Sequence, residues 1–259
     1  MKTRPFIFIL FASVLIIMTA ATLKDPTFYF MPKGYSFITP AQYQSNGQNI
    51  TMQAYLMSTY EITNGQYKLF LDDLKKQTDT SNYAVAKIKA DNWKSLMVFN
   101  GSEYAGWADY PVVNISKEAA KLYCEWLTKK LTAEYKDKYI IEVRLPTKNE
   151  WEWAAYAGLK NVDYPWNGQY LRNSKGCYLA HFKLLSQPYG PCKTGLYSPN
   201  AYNLYDMAGN VAEMIGDADI VKGGSWDSLP YDLKITKDAP FSISPMVGFR
   251  PVITFLYKK

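Results

Sequence analysis

From Tyr164 to Asp219 the chain shows no sustained strand or helix period in its apolar residues, and turn-forming residues recur every few positions. A stretch this long inside a compact domain needs a metal, a disulfide or a functional surface to order it. That one feature argues for a single irregular domain. The composition agrees. The chain has 259 residues, suited to one large domain or one domain plus a leader, and 48% hydrophobic residues, enough for a real core. Its 22 Tyr and 7 Trp allow the core to be built from large amphipathic rings rather than long regular elements. There is no internal repeat, low-complexity tract or Ser/Gly linker.

Three helices stand out against this background. Thr63 to Gln66 has the spacing of a capping box, which would turn Tyr67, Phe70 and Leu74 inward. A second helix begins after Ser116 and runs to about Leu131, with Ala120, Tyr123, Cys124 and Leu127 on one face. A third begins at Thr147, whose hydroxyl can cap the Glu150 amide, and stops near Gly158. It carries Trp151, Ala154 and Ala155 inward, and Trp151 and Trp153 read as core aromatics. Short strands are expected at Gln53–Met57, Ile140–Arg144 and Gly248–Thr254.

Lys2 and Arg4 precede an apolar run from Phe6 to Leu23, with small residues Thr19, Ala20 and Ala21 near its end. Residues 1–23 read as a secretory signal peptide cleaved after Ala21, or as an uncleaved N-terminal anchor; residues 24–259 form the domain. Either reading puts the body in the periplasm or cell envelope. No cysteine near the leader offers a lipid attachment point. The formal net charge of +6 is thinly spread with no long Lys/Arg run, so the usual nucleic-acid footprint is missing. The three cysteines suit an exported chain with one pair and one leftover thiol. Cys177 and Cys192 flank a loop containing Pro and Gly and are the expected disulfide, which would contribute about 3 kcal/mol in the chain-entropy model. Cys124 is expected to be a buried free thiol.

Six segments in order carry a resemblance: Tyr60–Asn64, Tyr110–Ser116, Arg144–Ala155, Asn203–Glu213, Lys222–Trp226 and Val247–Arg250. Together they resemble the formylglycine-generating-enzyme (sulfatase-modifying-factor) family over nearly everything after the leader. The resemblance implies an α+β, irregular, loop-rich variant of the C-type-lectin-like fold, often calcium-bound. It also implies a calcium site from a side-chain oxygen at Asp206, the carbonyls of Gly209 and Val211, and the acid Glu213. Such a mixture of carboxylates and carbonyls suits a hard cation. A second family calcium site has His181 at an Asn position and no acid in Ser186–Cys192, so it is expected to be absent.

Family enzymes oxidise a sulfatase cysteine to formylglycine with oxygen and copper(I) held by two cysteines. Copper(I) selects soft thiolates. Read in register from Gly223-Gly224-Ser225, those two positions hold Ser228 and Leu233, so no copper is expected. Leu229 replaces the substrate-side Arg, Ala212 replaces a Trp, and Ser225 matches a serine near the reactive pocket. His181 is the only histidine, and it lies far in sequence from Ser225. The segments Asp206–Glu213 and Gly223–Trp226, with Tyr231, also resemble gliding-motility and type IX secretion lipoproteins that carry this fold without the chemistry. The leading expectation is a non-catalytic, calcium-stabilised envelope module that binds another protein through exposed aromatics. A copper-dependent oxidase with other ligands and a lectin-like glycan binder are the alternatives.

Overall fold

In a computed structural model, the structure describes residues 31–45, 48–88, 107–135, 138–184 and 189–257. The leader expected over residues 1–23 lies outside them. Among the described residues, no helix is long and apolar enough to cross a membrane.

The α+β expectation holds, with little regular structure. Strands β1 (Tyr35–Ile38), β4 (Tyr55–Ser58), β5 (Tyr139–Arg144) and β10 (Val252–Tyr257) form an antiparallel sheet in the order β1-β4-β10-β5. Val252 faces Met57 on one side and Arg144 on the other, so the last strand ties the first third of the chain to its middle. β2 (Ala41–Ser45) and β3 (Gln48–Met52) pair as a separate antiparallel ribbon. A third sheet has the order β8-β7-β6-β9, built from β6 (Ala212–Met214), β7 (Ile220–Lys222), β8 (Ala239–Pro240) and β9 (Val247–Gly248), with β6 and β9 parallel.

The helices form where their caps predict. Helix α1 (Asn64–Lys76) starts on the Thr63–Gln66 capping box and buries Tyr67, Phe70 and Leu74. Helix α3 (Lys117–Glu134) is capped by Ser116, and α4 (Lys148–Tyr156) by the Thr147–Glu150 box. A short α2 (Thr80–Ala86), capped by Asp79, has no counterpart in the sequence reading. Helices α1 and α3 meet through rings: Tyr67 lies 5.8 Å from Tyr123, and Phe249 packs edge-on to Tyr123 at 5.4 Å. Aromatic pairs at these separations add to the area they bury. A second core gathers Ile38, Tyr55, Met57, Trp151 and Val252, with Trp153 only partly buried against it.

The strand expected at Gly248–Thr254 is two strands. Arg250 turns its fully buried side chain inward between them, and Pro251 has no amide to donate. The long segment from Tyr164 is held by side-chain amides. Asn200 donates to the Ala154 carbonyl at 2.8 Å and accepts from the amides of Tyr202 and Leu204 at 3.0 and 3.1 Å. This corrects the expected Cys177–Cys192 disulfide, because all three cysteines are free thiols. The Cys177 amide is held in an exposed turn by Asn173, whereas the Cys192 amide donates to buried Asn210 at 2.9 Å. Both cysteine amides thus find partners without a covalent link.

Candidate functional site

Two places could carry chemistry: the positions that the resemblance assigns to copper thiolates, and the turn expected to hold a cation. The first follows β7. Gly223 and Gly224 both have left-handed backbone, at φ 85° and 68°. A Cβ on Gly224 would come within 2.7 Å of a Leu233 methyl, so glycine lets the 3-10 turn Pro230–Leu233 fold back onto the strand end. Leu233 is fully buried in a cluster with Tyr164, Ala180, Phe182 and Ala208. Ser228 is used locally: its hydroxyl accepts from the Ser225 amide at 2.9 Å and lies 3.2 Å from the Ser225 hydroxyl. One position is hydrocarbon in a packed core; the other is a hydroxyl closing a turn. No thiol stands in for them. Cys124 is buried on α3, where burial followed by the Glu125 charge pushes its thiol up. Cys192 lies among Asp206, Glu61 and Asn210, and burial pushes its thiol up as well. Among the described residues, no group of three or more His, Cys, Asp or Glu side chains is placed to hold a metal.

Beside this filled position two large apolar side chains reach the surface among charged ones. Leu229 and Tyr231 are exposed, with the Lys237 ammonium 4.0 Å from the centre of the Tyr231 ring. Tyr189, also exposed, stands edge-on to Trp226 at 4.4 Å.

The second place is a turn in which Asn203, Asp206, Gly209 and Asn210 all have left-handed backbone. Asn and Asp tolerate this conformation, so the sequence can coil there. Gly209 must be glycine: its Cβ would run into the His181 carbonyl oxygen. That carbonyl in turn accepts from the Asn210 amide at 2.8 Å. His181 is buried and bonds to the Gly190 carbonyl at 2.8 Å, a structural role.

The four expected ligands lie along this turn and the start of β6, but they are not equally free. Glu213 is buried, and both of its carboxylate oxygens accept from Arg250, at 2.7 to 3.0 Å. Its Oε2 also accepts from the Trp151 indole at 2.8 Å. Arg250, fully buried, donates further to the carbonyls of Ser58, Thr59 and Tyr205, joining β4, the turn and β6. The Asp206 carboxylate accepts one hydrogen bond, from the Gly195 amide at 2.6 Å. Burial pushes its carboxyl up to about 6, against the pull of that amide and of Arg250. The sequence reading missed Glu61. It is fully buried just before α1; Oε1 accepts from Asn210 at 3.0 Å, while Oε2 has no hydrogen-bond partner. Burial, then the Asp206 charge, hold its carboxyl well above the usual carboxylate range. The orphaned Glu61 oxygen is a buried polar atom that the protein's own groups leave without a partner. Asp206 fits the implied calcium set, and Glu213 as placed is already committed to Arg250.

A family model described as the sulfatase-modifying factor enzyme 1-like domain matches residues 17–255. The inactive C-alpha-formylglycine-generating enzyme 2 of Bos taurus is 25% identical over 249 residues, spanning 78% of each chain. The serine/threonine-protein kinase pkn1 of Chlamydia pneumoniae is 24% identical over 78% of this chain, which corresponds to only 33% of its own length. Two solved structures share the fold. PvdO from Pseudomonas aeruginosa has a TM-score of 0.61 and 17% identity, covering 85% of this chain and 93% of that one. Treponema denticola variable protein 1 has a TM-score of 0.58 and 19% identity, covering 84% and 94%.

Proposed function

The chain belongs to the sulfatase-modifying factor enzyme 1-like domain family, and from that premise we propose that it is a non-catalytic member acting as a calcium-binding assembly module of the bacterial envelope. The observation that carries this reading is Leu233. A side chain without a donor atom, fully buried against Gly224 and Phe182, fills the place of a copper ligand. Relatives named as inactive support the same reading. The envelope assignment rests on the charged and apolar leader, and a role of the gliding-motility or type IX secretion kind rests on the Asp206–Glu213 and Gly223–Trp226 segments.

With no substrate pocket needed, the surface over the filled position is free for a partner protein. Leu229 and Tyr231 present apolar area there, and exposed aromatics of this kind make effective interface anchors. Bound calcium would neutralise buried carboxylate charge; the residues themselves order the turn that carries this surface's supporting core.

The test is site-specific crosslinking in native cells from a photoreactive residue at Leu229. One dominant adduct, lost when Tyr231 is replaced by Ser, is expected. Crosslinking no stronger than from the remote exposed position Leu69 would contradict the reading.

A further inference from the structure

Beside the ribbon of β2 and β3 runs a cleft of about 510 Å³. One wall is residues 49–55 in unbroken succession; the other is Arg144, Thr147, Asn149, Glu150 and Thr254. Side chains of a strand alternate between its two faces, so a cleft over one face would touch every second residue. Contact with consecutive residues means that this cleft follows the edge of the backbone. No residue of β2 lines it, so the edge is the one of β3 that faces away from its partner.

That edge is left open. Beyond the ladder to β2, residues 49–54 make no backbone hydrogen bond among the described residues. Free edges are normally blunted by charge, by proline or by a covering group. The Val143 amide of β5 is taken by the Thr128 hydroxyl at 2.9 Å, and β8 carries Pro240. The stretch from Gln48 to Ala54 has neither a charged residue nor a proline. The exposed side chains of Asn49, Thr51 and Gln53, and the Asn149 amide across the cleft, make no hydrogen bond among the described residues. The charged pair in the lining is closed on itself, because Glu150 accepts from both terminal nitrogens of Arg144 at 2.7 Å. An extended peptide seated here can continue the ladder of β3 through its backbone and meet uncharged amides and hydroxyls on both sides. The start of α4 walls the far side, so the space suits a single strand.

We propose that the open edge of β3 is a docking site for an uncharged, extended segment of another protein, which adds to the ribbon as a third strand. Leu229 and Tyr231 do not line this cleft, so the proposal stands apart from the surface described above.

The test selects a phage-displayed library of random seven-residue peptides on the full chain. Enriched peptides are then synthesised unmodified and with N-methyl groups on the odd or on the even backbone amides. The enriched peptides should carry no net charge. One methylation pattern should weaken binding at least about 30-fold and the other less than about 3-fold, because only one edge of the peptide faces β3. Thr51→Lys, an exposed change that blunts the edge, should weaken the same peptides at least about 10-fold. Gln53→Lys repeats that arm should Thr51→Lys not fold. No enrichment, equal tolerance of both methylation patterns, or undiminished binding to the lysine variant would overturn the proposal. Self-association of the free chain that Thr51→Lys abolishes would put a second copy in the cleft and overturn it as well.

Discussion

At the scale of single residues, Gly209 and Arg250 set the geometry of the site. Gly209 sits where the turn passes over the His181 carbonyl, with φ at 80°. Gly34 has a similar φ of 86° but open space around it, so the two glycines separate backbone strain from collision. Gly34→Ala should cost about 1–2 kcal/mol, the usual penalty for left-handed backbone. Gly209→Ala should cost more than twice as much, checked by chemical denaturation of both variants side by side. Equal losses would mean that the turn relaxes freely. Glu61 shows the limit of reading residues one at a time. In Tyr60–Asn64 it looks like an ordinary polar residue before a capped helix, and nothing local marks it as buried. Its meaning comes from Asn210 and Asp206, which lie far along the chain.

At the scale of elements, the three expected helices were legible because their signals are local. Thr63, Ser116 and Thr147 each accept the backbone amide three residues on. The strand around Arg250 was not legible as two pieces, because the break is made by tertiary contacts of one side chain. The free thiols have a related reason: cysteine spacing does not report that the Cys177 and Cys192 amides are each held by an asparagine, Asn173 and Asn210. Glu150 ties two elements together. Its carboxylate accepts from both terminal nitrogens of the Arg144 guanidinium at 2.7 Å and from the Thr147 amide at 2.8 Å. Burial opposes its ionisation, but these donors win and hold its carboxyl below the usual range. The unfolded chain then binds the proton more tightly than the folded one. The stability so gained is present above the ordinary Glu value of about 4.3 and is lost as pH falls through the lower folded value. Glu150→Gln should therefore reduce stability at pH 7 and flatten its decline below about pH 4.5, as measured by urea midpoints across that range.

At the scale of the whole molecule, fold and chemistry part company. Six segments in register made the family legible from sequence, because they are the positions where this architecture needs particular residues. These include the capped α4, the left-handed turn at Asp206–Asn210 and the close approach at Gly224. The candidate site was legible only in part. Asp206 and the two altered copper positions could be found by alignment of motifs, but the packing of Leu233 and the pairing of Glu213 with Arg250 required coordinates. The two positions that the resemblance assigns to copper ligands lie in a turn and a small apolar cluster, and Ser228 and Leu233 themselves satisfy both. The central proposal is that such a frame does not oxidise a cysteine. Incubation of the purified chain with copper(I), oxygen and a cysteine-bearing sulfatase peptide, followed by mass spectrometry, tests it most directly. The account predicts unmodified peptide and no stoichiometric copper on the protein; peptide converted to the aldehyde would contradict it.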